Sequence, residues 1–573
     1  MHKLVIVLLL ALLAGCQNTT GPGSAGGSSR SGAQVPYAVL AERIAAGETV
    51  SVAALREAFV NDASFASKLS RLTELENQAL QLAADEPLKL GSLGSAILDL
   101  YHGSLAGHFA MQRFYEHVEN VETAASHGAW MQRIQADIEA SGDGTVAAPY
   151  IAVSPVEPVA FARSKKLLPV GSIYRSTQAN EFILLLQARP EDGPLSSTHF
   201  DLRSVYRAIR SELTSAKTGS EADASARAEA SKEFNPFALM VYLARQGDTA
   251  AQAAIGAYQA SHERPDDAIE WLRSASRSGN VLANNLLARI FFEMAEKAED
   301  DASREASMEE VMENYVHAIA LGSLDSAYAL GVLYVNEHYG PDNVASGLPL
   351  LRQASQGGHP GATLYLGHLS YQGRQVEQDY QQAADYYREA AASGSTNAQK
   401  TYARFLLDRK HNISGNAETI DWLAALAKDN DDPEAMLLLG NFSARGIGTS
   451  QNFRKARRWF EKAVSISAQD ANIVNEVAWV LTVSHFDQLT RASYAQKIMS
   501  ALMEQNDAAR ARPEYLDTWA ATFAATGDFS RAVEIQQEAL TRAKESNDPA
   551  VVEELEKHLQ LFEAGQSITE TAP

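Results

Sequence analysis

The chain of 573 residues has one cysteine, 49 basic residues against 71 acidic ones, and no apolar run of membrane-spanning length. Each shortage excludes something. A lone thiol builds no disulfide framework, no Cys-based zinc site and no CxxC redox pair. A net charge of −22 has the wrong sign for the basic footprint that displaces counterions from nucleic acid, and gives no electrostatic grip on anionic lipid. The longest apolar run, Leu4–Leu13, is half of the roughly 20 residues a spanning helix needs. There is no GxSxG, no Walker motif, no HExxH, no EF-hand spacing and no strand-to-helix dinucleotide fingerprint. What remains is ordinary globular material, 46% apolar and 21% charged, so wholesale disorder is excluded. The length suits about three to five domains, or fewer if one is a repeat array.

The start, MHKLVIVLLLALLAGCQNTT, has a short polar head, an apolar run and small residues, which is secretory signal architecture. Its tetrapeptide Leu13-Ala14-Gly15-Cys16 resembles the bacterial lipobox. That resemblance implies cleavage before Cys16, a diacylglyceryl group on its sulfur and acylation of the new terminus. Several acyl chains anchor stably where one does not. Gln17 stands where lipoproteins kept in the inner membrane carry Asp, which implies the outer membrane. The Gly/Ser/Thr-rich residues 16–34 read as a flexible tether.

The chain then repeats itself. ATLYLGHLSYQGRQVEQDYQQAADYYREAAASGSTNA, from Ala362, and EAMLLLGNFSARGIGTSQNFRKARRWFEKAVS, from Glu434, share a Leu-Gly pair, a Gly-rich turn, and an Ala, aromatic pair, Ala pattern. The second pattern is Ala383, Tyr386, Tyr387, Ala390 in one and Ala456, Trp459, Phe460, Ala463 in the other. This resembles the Sel1-like repeat, a relative of the tetratricopeptide repeat (TPR) with two antiparallel helices per unit. Units start at Ala251, Ala283, Ser326, Ala362, Ala398 and Ala435, with spacings of 32, 43, 36, 36 and 37. Gly279, Gly322, Gly358 and Gly394 fall where each second helix should end, because a helix C′ position takes the left-handed conformation. One unit cannot bury its apolar face alone, so the units stack into a solenoid. Spacing already explains the aromatic stripe as core. From about residue 471 a TPR-like segment follows, with Leu516, Ala520, Phe523, Gly527, Phe529, Ala532 and Ala539 at TPR key positions. Ala550–Phe562 reads as an amphipathic cap, and AGQSITETAP as a frayed tail.

Residues 35–214 do not repeat. Tyr37–Ala45, Val52–Val60, Lys68–Ala84, Leu93–Val121 and His127–Ala140 read as helices. PYIAVSPVEP, NEFILLLQARP and STHFDL read as strands of a small antiparallel sheet. The segments Ser141–Glu157 and His199–Leu202 resemble motifs of an uncharacterised bacterial family that carries no known activity. Polar residues 215–233 read as a linker or a solvated helix joining this domain to the array. The expected architecture is mainly α: a smaller α+β domain (35–214), a Sel1-like solenoid (234–470) and a TPR-like segment with its cap (471–565).

Candidate chemistry is sparse. His102, His108, His117 and His127 cluster in sequence, but six residues separate the first two, about 240° around one helix, and nine the next two, about 180°. They should therefore face apart, as surface or polar-core histidines. Asp143, in a Gly-Asp-Gly turn, and Glu157 are the one carboxylate pair that invites an acid–base reading. A turn aspartate satisfied by its own backbone is the commoner case. The acidic run Glu296–Glu310 reads as a solvated helix face. The expectation is a non-enzymatic scaffold with no catalytic, cofactor or metal residues and one modified residue, Cys16. It would be lipid-anchored in the outer membrane, facing the periplasm, and hold envelope proteins on its solenoid, as the lipid-anchored Sel1-like scaffolds of envelope assembly do. The alternative is an envelope or cell-wall enzyme with the N-terminal domain as catalyst and the repeats as recruiter.

Overall fold

A computed structural model of the chain describes residues 35–83, 86–176, 182–191, 193, 195–218, 236–245, 247–411, 413–415, 417–546 and 549–570. Cys16, the lipobox, the tether and residues 219–233 of the expected linker lie outside these. Two compact units emerge. The first holds the described residues up to Lys165 together with those of Ser176–Leu184 and His199–Pro236; the second holds those of Lys166–Arg175, Leu185–Thr198 and everything from Phe237 on. Residues 166–175 and 185–198, expected with the N-terminal domain, thus group with the repeats.

The first unit is mainly helical. The expected single helix Leu93–Val121 is two helices and the start of a third: Leu90–Leu100, Leu105–His117 and Val121–Ala140. Local capping chemistry makes the breaks. Tyr101 is extended, Ser104 accepts from Gly107 N as an N-cap, and Asn120 does the same for Thr123 N. Tyr101 is then free to stack on Phe59, with ring centroids 4.0 Å apart in the core. Helix Arg203–Thr218 runs on into residues 215–218, in line with the helical alternative for the start of that segment.

Four strands, β1 (Tyr150–Ile151), β2 (Leu168–Ser176), β3 (Phe182–Arg189) and β4 (Ser196–Asp201), form a sheet in the order β1-β4-β3-β2. β2 was not legible as a strand. The sheet is not purely antiparallel, since β1 pairs parallel with β4, Tyr150 against Phe200 and Ile151 against Asp201. β1 and β4 lie far apart in the chain, so no hairpin constrains them to run antiparallel.

In the second unit each repeat is a pair of helices that pack on one another and on the next pair. All six inferred start positions share one device. The residue three before the start is an N-cap whose side chain accepts from the start residue's N–H: Asp248, Asn280, Ser323, His359, Ser395 and Asp432. Immediately before each cap the chain has positive φ, as at Gly279 (77°) and Gly358 (89°), where a left-handed turn ends the preceding helix. In the sixth unit Asp431 holds that conformation, at φ 48°.

The Leu-Gly pair also has a packing cause. The glycine five residues after the start lies against the second helix. A Cβ on Gly367 would come within 2.6 Å of Tyr387, and one on Gly331 within 2.9 Å of Leu351; Gly440 meets Phe460 and Gly256 meets Leu272 in the same way. The aromatic pairs therefore split. Tyr387 and Phe460 are buried against glycine, while Tyr386 and Trp459 are only half-buried. In the units starting at Ala283 and Ala398 the glycine is replaced by Ala288 and Ala403.

Strand residues grouped with the repeats bond to two of their caps. Tyr174 donates to Asp248 Oδ2 at 2.9 Å, and Asn280 Nδ2 donates to Ser172 O at 2.7 Å, while Val170 packs with Val281 and Ala318. After the repeats come Ala471–Val483, Ala492–Gln505, Pro513–Ala525, Phe529–Ser546 and Pro549–Glu563. Leu516, Ala520, Ala532 and Ala539 are buried as a TPR requires, and the last helix buries Leu555 and Phe562. The following residues are not frayed: Ser567 Oγ donates to Ala524 O at 2.9 Å and Glu570 N to Val483 O at 2.7 Å. Residues 571–573 lie outside the described ones.

Candidate functional site

Structure separates the suspected carboxylates. Asp143 is exposed, and hydrogen bonds from Thr145 hold its carboxyl below the usual value, as a self-satisfied turn requires. Glu157 is 2% exposed. It is paired with Arg56 through both oxygens and accepts from Val153 N at 2.7 Å. Arg56 also reaches Asp137 at 2.9 Å and Ile151 O at 2.8 Å. Beside this network lies Glu76, fully buried, accepting from Ser104 Oγ and Ser154 Oγ at 2.6 Å each. Burial pushes its pKa up to about 7, against the pull of the two hydroxyls. Neither Arg56 nor Glu76 stands in a motif, and only the fold brings them within reach of Glu157.

The histidines divide otherwise than one helix would place them. Because Asn120 starts a new helix, His108 and His127 meet across a helix pair, Nδ1 to Nδ1 at 2.9 Å. His108 Nε2 faces His102 O at 2.9 Å, so it carries the proton, and His108 Nδ1 accepts from His127. Burial drives His108 down to about 3, and His127 also falls, so this pair is neutral. His108 stacks on Trp130 at 5.3 Å. His117 lies at the end of its helix. Among the described residues no group of three or more His, Cys, Asp or Glu is placed to hold a metal ion. No helix there is long and apolar enough to cross a membrane. The acidic run Glu296–Glu310 is split by the cap Asp300, which accepts from Ser303 N and begins a second helix.

The array offers a different kind of site. Several consecutive first helices touch directly: Thr249–Ser261 with Val281–Lys297, and Thr396–Leu407 with Pro433–Arg445. The residue after the close-packed small one therefore recurs at one register, as Ala257, Arg289, Val332, His368, Arg404 and Asn441. All six are at least partly open to solvent, while their predecessors are all buried. Polar links run between units beside this row. Lys400 Nζ lies 2.9 Å from Asp432 and 3.0 Å from Glu434, and Arg404 also pairs with Glu434. Tyr365 and Arg374 both donate to Asn336. Constant buried positions with a varied, partly exposed neighbour suit a recognition face. Its signal in the sequence was the residue after the Leu-Gly pair, or after the residues that replace it.

Comparison with known proteins agrees with the repeat architecture. Residues 249–280, 360–395 and 433–465 match the Sel1 repeat family, which are three of the six units read from the sequence. No curated protein matches the chain. Among solved structures, a Sel1 repeat protein from Oxalobacter formigenes is 18% identical, covering 56% of this chain and 90% of its own, with a TM-score of 0.39. A protective antigen of uropathogenic Escherichia coli with an SLR fold, c5321, is 14% identical, covering 88% and 99%, at 0.31. Yeast Tom70 is 10% identical, covering 86% and 96%, at 0.31. These likenesses are remote, and the fold rests on the helix pairs themselves.

Proposed function

We propose that this protein is a scaffold lipoprotein of the bacterial envelope, anchored in the outer membrane through Cys16 and holding periplasmic partner proteins on its repeat array. The observation that carries the reading is the partly exposed row on the first helices. All six units repeat the cap and the buried small residue, glycine in four and alanine in two, yet vary the residue that follows it, from Ala257 to Asn441. Such a surface spreads recognition over many units. Repeats of the Sel1 and TPR type are interaction modules, and the network around Glu157 works as a structural ion pair. The lipobox, Gln17 and the Gly/Ser-rich tether support the anchor and its address. The test is a Cys16→Ser variant followed by membrane fractionation and co-purification. Loss of the variant from the outer membrane, with its partner still bound, supports both halves. Retention in the outer membrane overturns the anchor, and a wild-type protein that co-purifies with nothing overturns the scaffold.

A further inference from the structure

A helix leaves its last carbonyls without donors of its own. Within the array an arginine of the following unit supplies one. Arg374 Nη2 donates to Val335 O at 3.1 Å, and Arg445 Nη1 to Leu407 O at 3.0 Å. Val335 and Leu407 each end a first helix. Farther along, the donor changes. Glu570 N donates to the terminal carbonyl of Ala471–Val483, and Ser567 Oγ to Ala524 O in the last turn of Pro513–Ala525. Ile568, between them, packs on the core of this part of the array. The chain reaches this position through Gly565, whose φ of 69° turns it off the preceding helix. Residues 566–570 thus lie non-helical across two helix ends and tie to both.

The grip is slight. Ser567, Thr569 and Glu570 remain exposed, and Ile568 alone is half-buried. What the segment covers is backbone carbonyl and apolar surface, with no charged side chain bonded to it in the contacts above. Any peptide bringing the same donors and a branched aliphatic side chain in the same order meets that chemistry equally well.

We propose that these two helix ends form a binding site for a non-helical peptide of a partner protein, and that residues 566–570 are its intramolecular occupant, displaced when the partner binds. This rests on the scaffold reading and adds a site and a ligand chemistry to it. The ligand is a Ser or Thr followed by a β-branched aliphatic residue, with a free backbone N–H two residues later, so no proline there.

The probe is a fluorescent peptide of residues 564–573, AGQSITETAP. It is titrated by anisotropy into the full chain, into Ile568→Asp, and into a deletion of residues 566–573. An attached segment competes at an effective concentration of about a millimolar. The peptide should therefore bind both variants at least about tenfold more tightly than the intact chain, and the same peptide with aspartate for isoleucine should bind none of them. In the intact chain, saturating peptide should speed hydrogen exchange at the Glu570 amide, a readout that needs no folded variant. Equal affinity for intact chain and variants, no binding to the folded variants, or a Glu570 amide indifferent to peptide would overturn the proposal. So would a variant that fills the vacated site with a second copy of itself, seen as dimerisation by light scattering. None of those failures touches partner capture by the first-helix row, which is measured separately.

Discussion

Replacing Gly440 by alanine probes the close approach on which the repeats depend. In an exposed helix interior the change stabilises by about 1 kcal/mol, because alanine loses less backbone entropy. Here the new methyl would fall on the ring of Phe460, which is 0% exposed and has no route to solvent. Overpacking of this kind costs about 1–3 kcal/mol. The net expectation is destabilisation of up to about 2 kcal/mol. An internal control is Gly128→Ala in the first unit. Its methyl meets only the far end of Gln112, at 3.3 Å, so this variant should gain roughly 0.5–1 kcal/mol. The same chemical change thus has opposite signs at two helical glycines. The assay is urea denaturation with hydrogen exchange resolved to helices Pro433–Arg445 and Phe453–Ile466. Adding Phe460→Leu should make the double variant less damaged than the sum of the singles, by about 1 kcal/mol of coupling. A Gly440→Ala protein as stable as wild type or more so, with no coupling to Phe460, would refute the reasoning.

Other outcomes follow from the same geometry. Asp431→Gly relieves a left-handed non-glycine residue at φ 48° and should stabilise the sixth unit by roughly 1 kcal/mol in the same denaturation assay. Leu366→Asn, at a residue 4% exposed, should cost a few kcal/mol in the array, and proteolysis should cut there before it cuts the helices before Lys165. Glu157→Ala leaves the buried Arg56 partly unpaired and should destabilise the first unit by about 3–5 kcal/mol, whereas Asp143→Ala should leave its melting unchanged. For pH, Glu76 is raised from 4.5 to about 7, so its contribution is full below 4.5 and is lost as pH rises through about 7. His108 is lowered from 6.5 to about 3, so its contribution is full above 6.5 and is lost as pH falls toward 3. Between pH 4.5 and 6.5 the two slopes oppose, at about 1.4 kcal/mol per pH unit each. Glu76→Gln removes one of them and should lose roughly 3 kcal/mol more than wild type between pH 6.5 and 4.5, read by urea midpoints.

The repeats were legible because their causes are local and periodic. Glycines at 279, 322, 358 and 394 sit where the left-handed turns occur, and the six starts coincide with six capped N–H groups. The first unit was legible in composition but not in detail. Ser104 and Asn120 carry ordinary capping chemistry inside a long apolar-periodic stretch, and periodicity alone ran the helix through them. Angles reckoned on one axis covered His102, His108 and His117 and said nothing of His127, so the His108–His127 contact across two helices was not legible. Glu157 was suspected for the wrong chemistry, because its partner Arg56 lies 101 residues away and no local pattern joins them. β2 was hidden by its edge position and its glycine and proline, which read as turn. The partly exposed row was present in the sequence throughout, one residue past the Leu-Gly pair or its equivalent in each unit, and only the structure showed that its predecessors are buried.

The most direct measurement of the central claim is partner capture by two surface variants of equal charge change. One carries Arg289→Glu and Arg404→Glu, on the first-helix row. The other carries Arg273→Glu and Arg388→Glu, exposed on second helices and paired only at the surface with Glu310 and Glu418. Surface pairs contribute little to stability, so the second protein should melt like wild type, and the first, which loses the Arg404–Glu434 pair, is compared at a temperature where its melting curve shows it folded. Co-purification from detergent-solubilised membranes, quantified against wild type, should show the partner lost from the first variant and kept by the second. Capture kept by the first variant, or lost equally from both, would contradict the account.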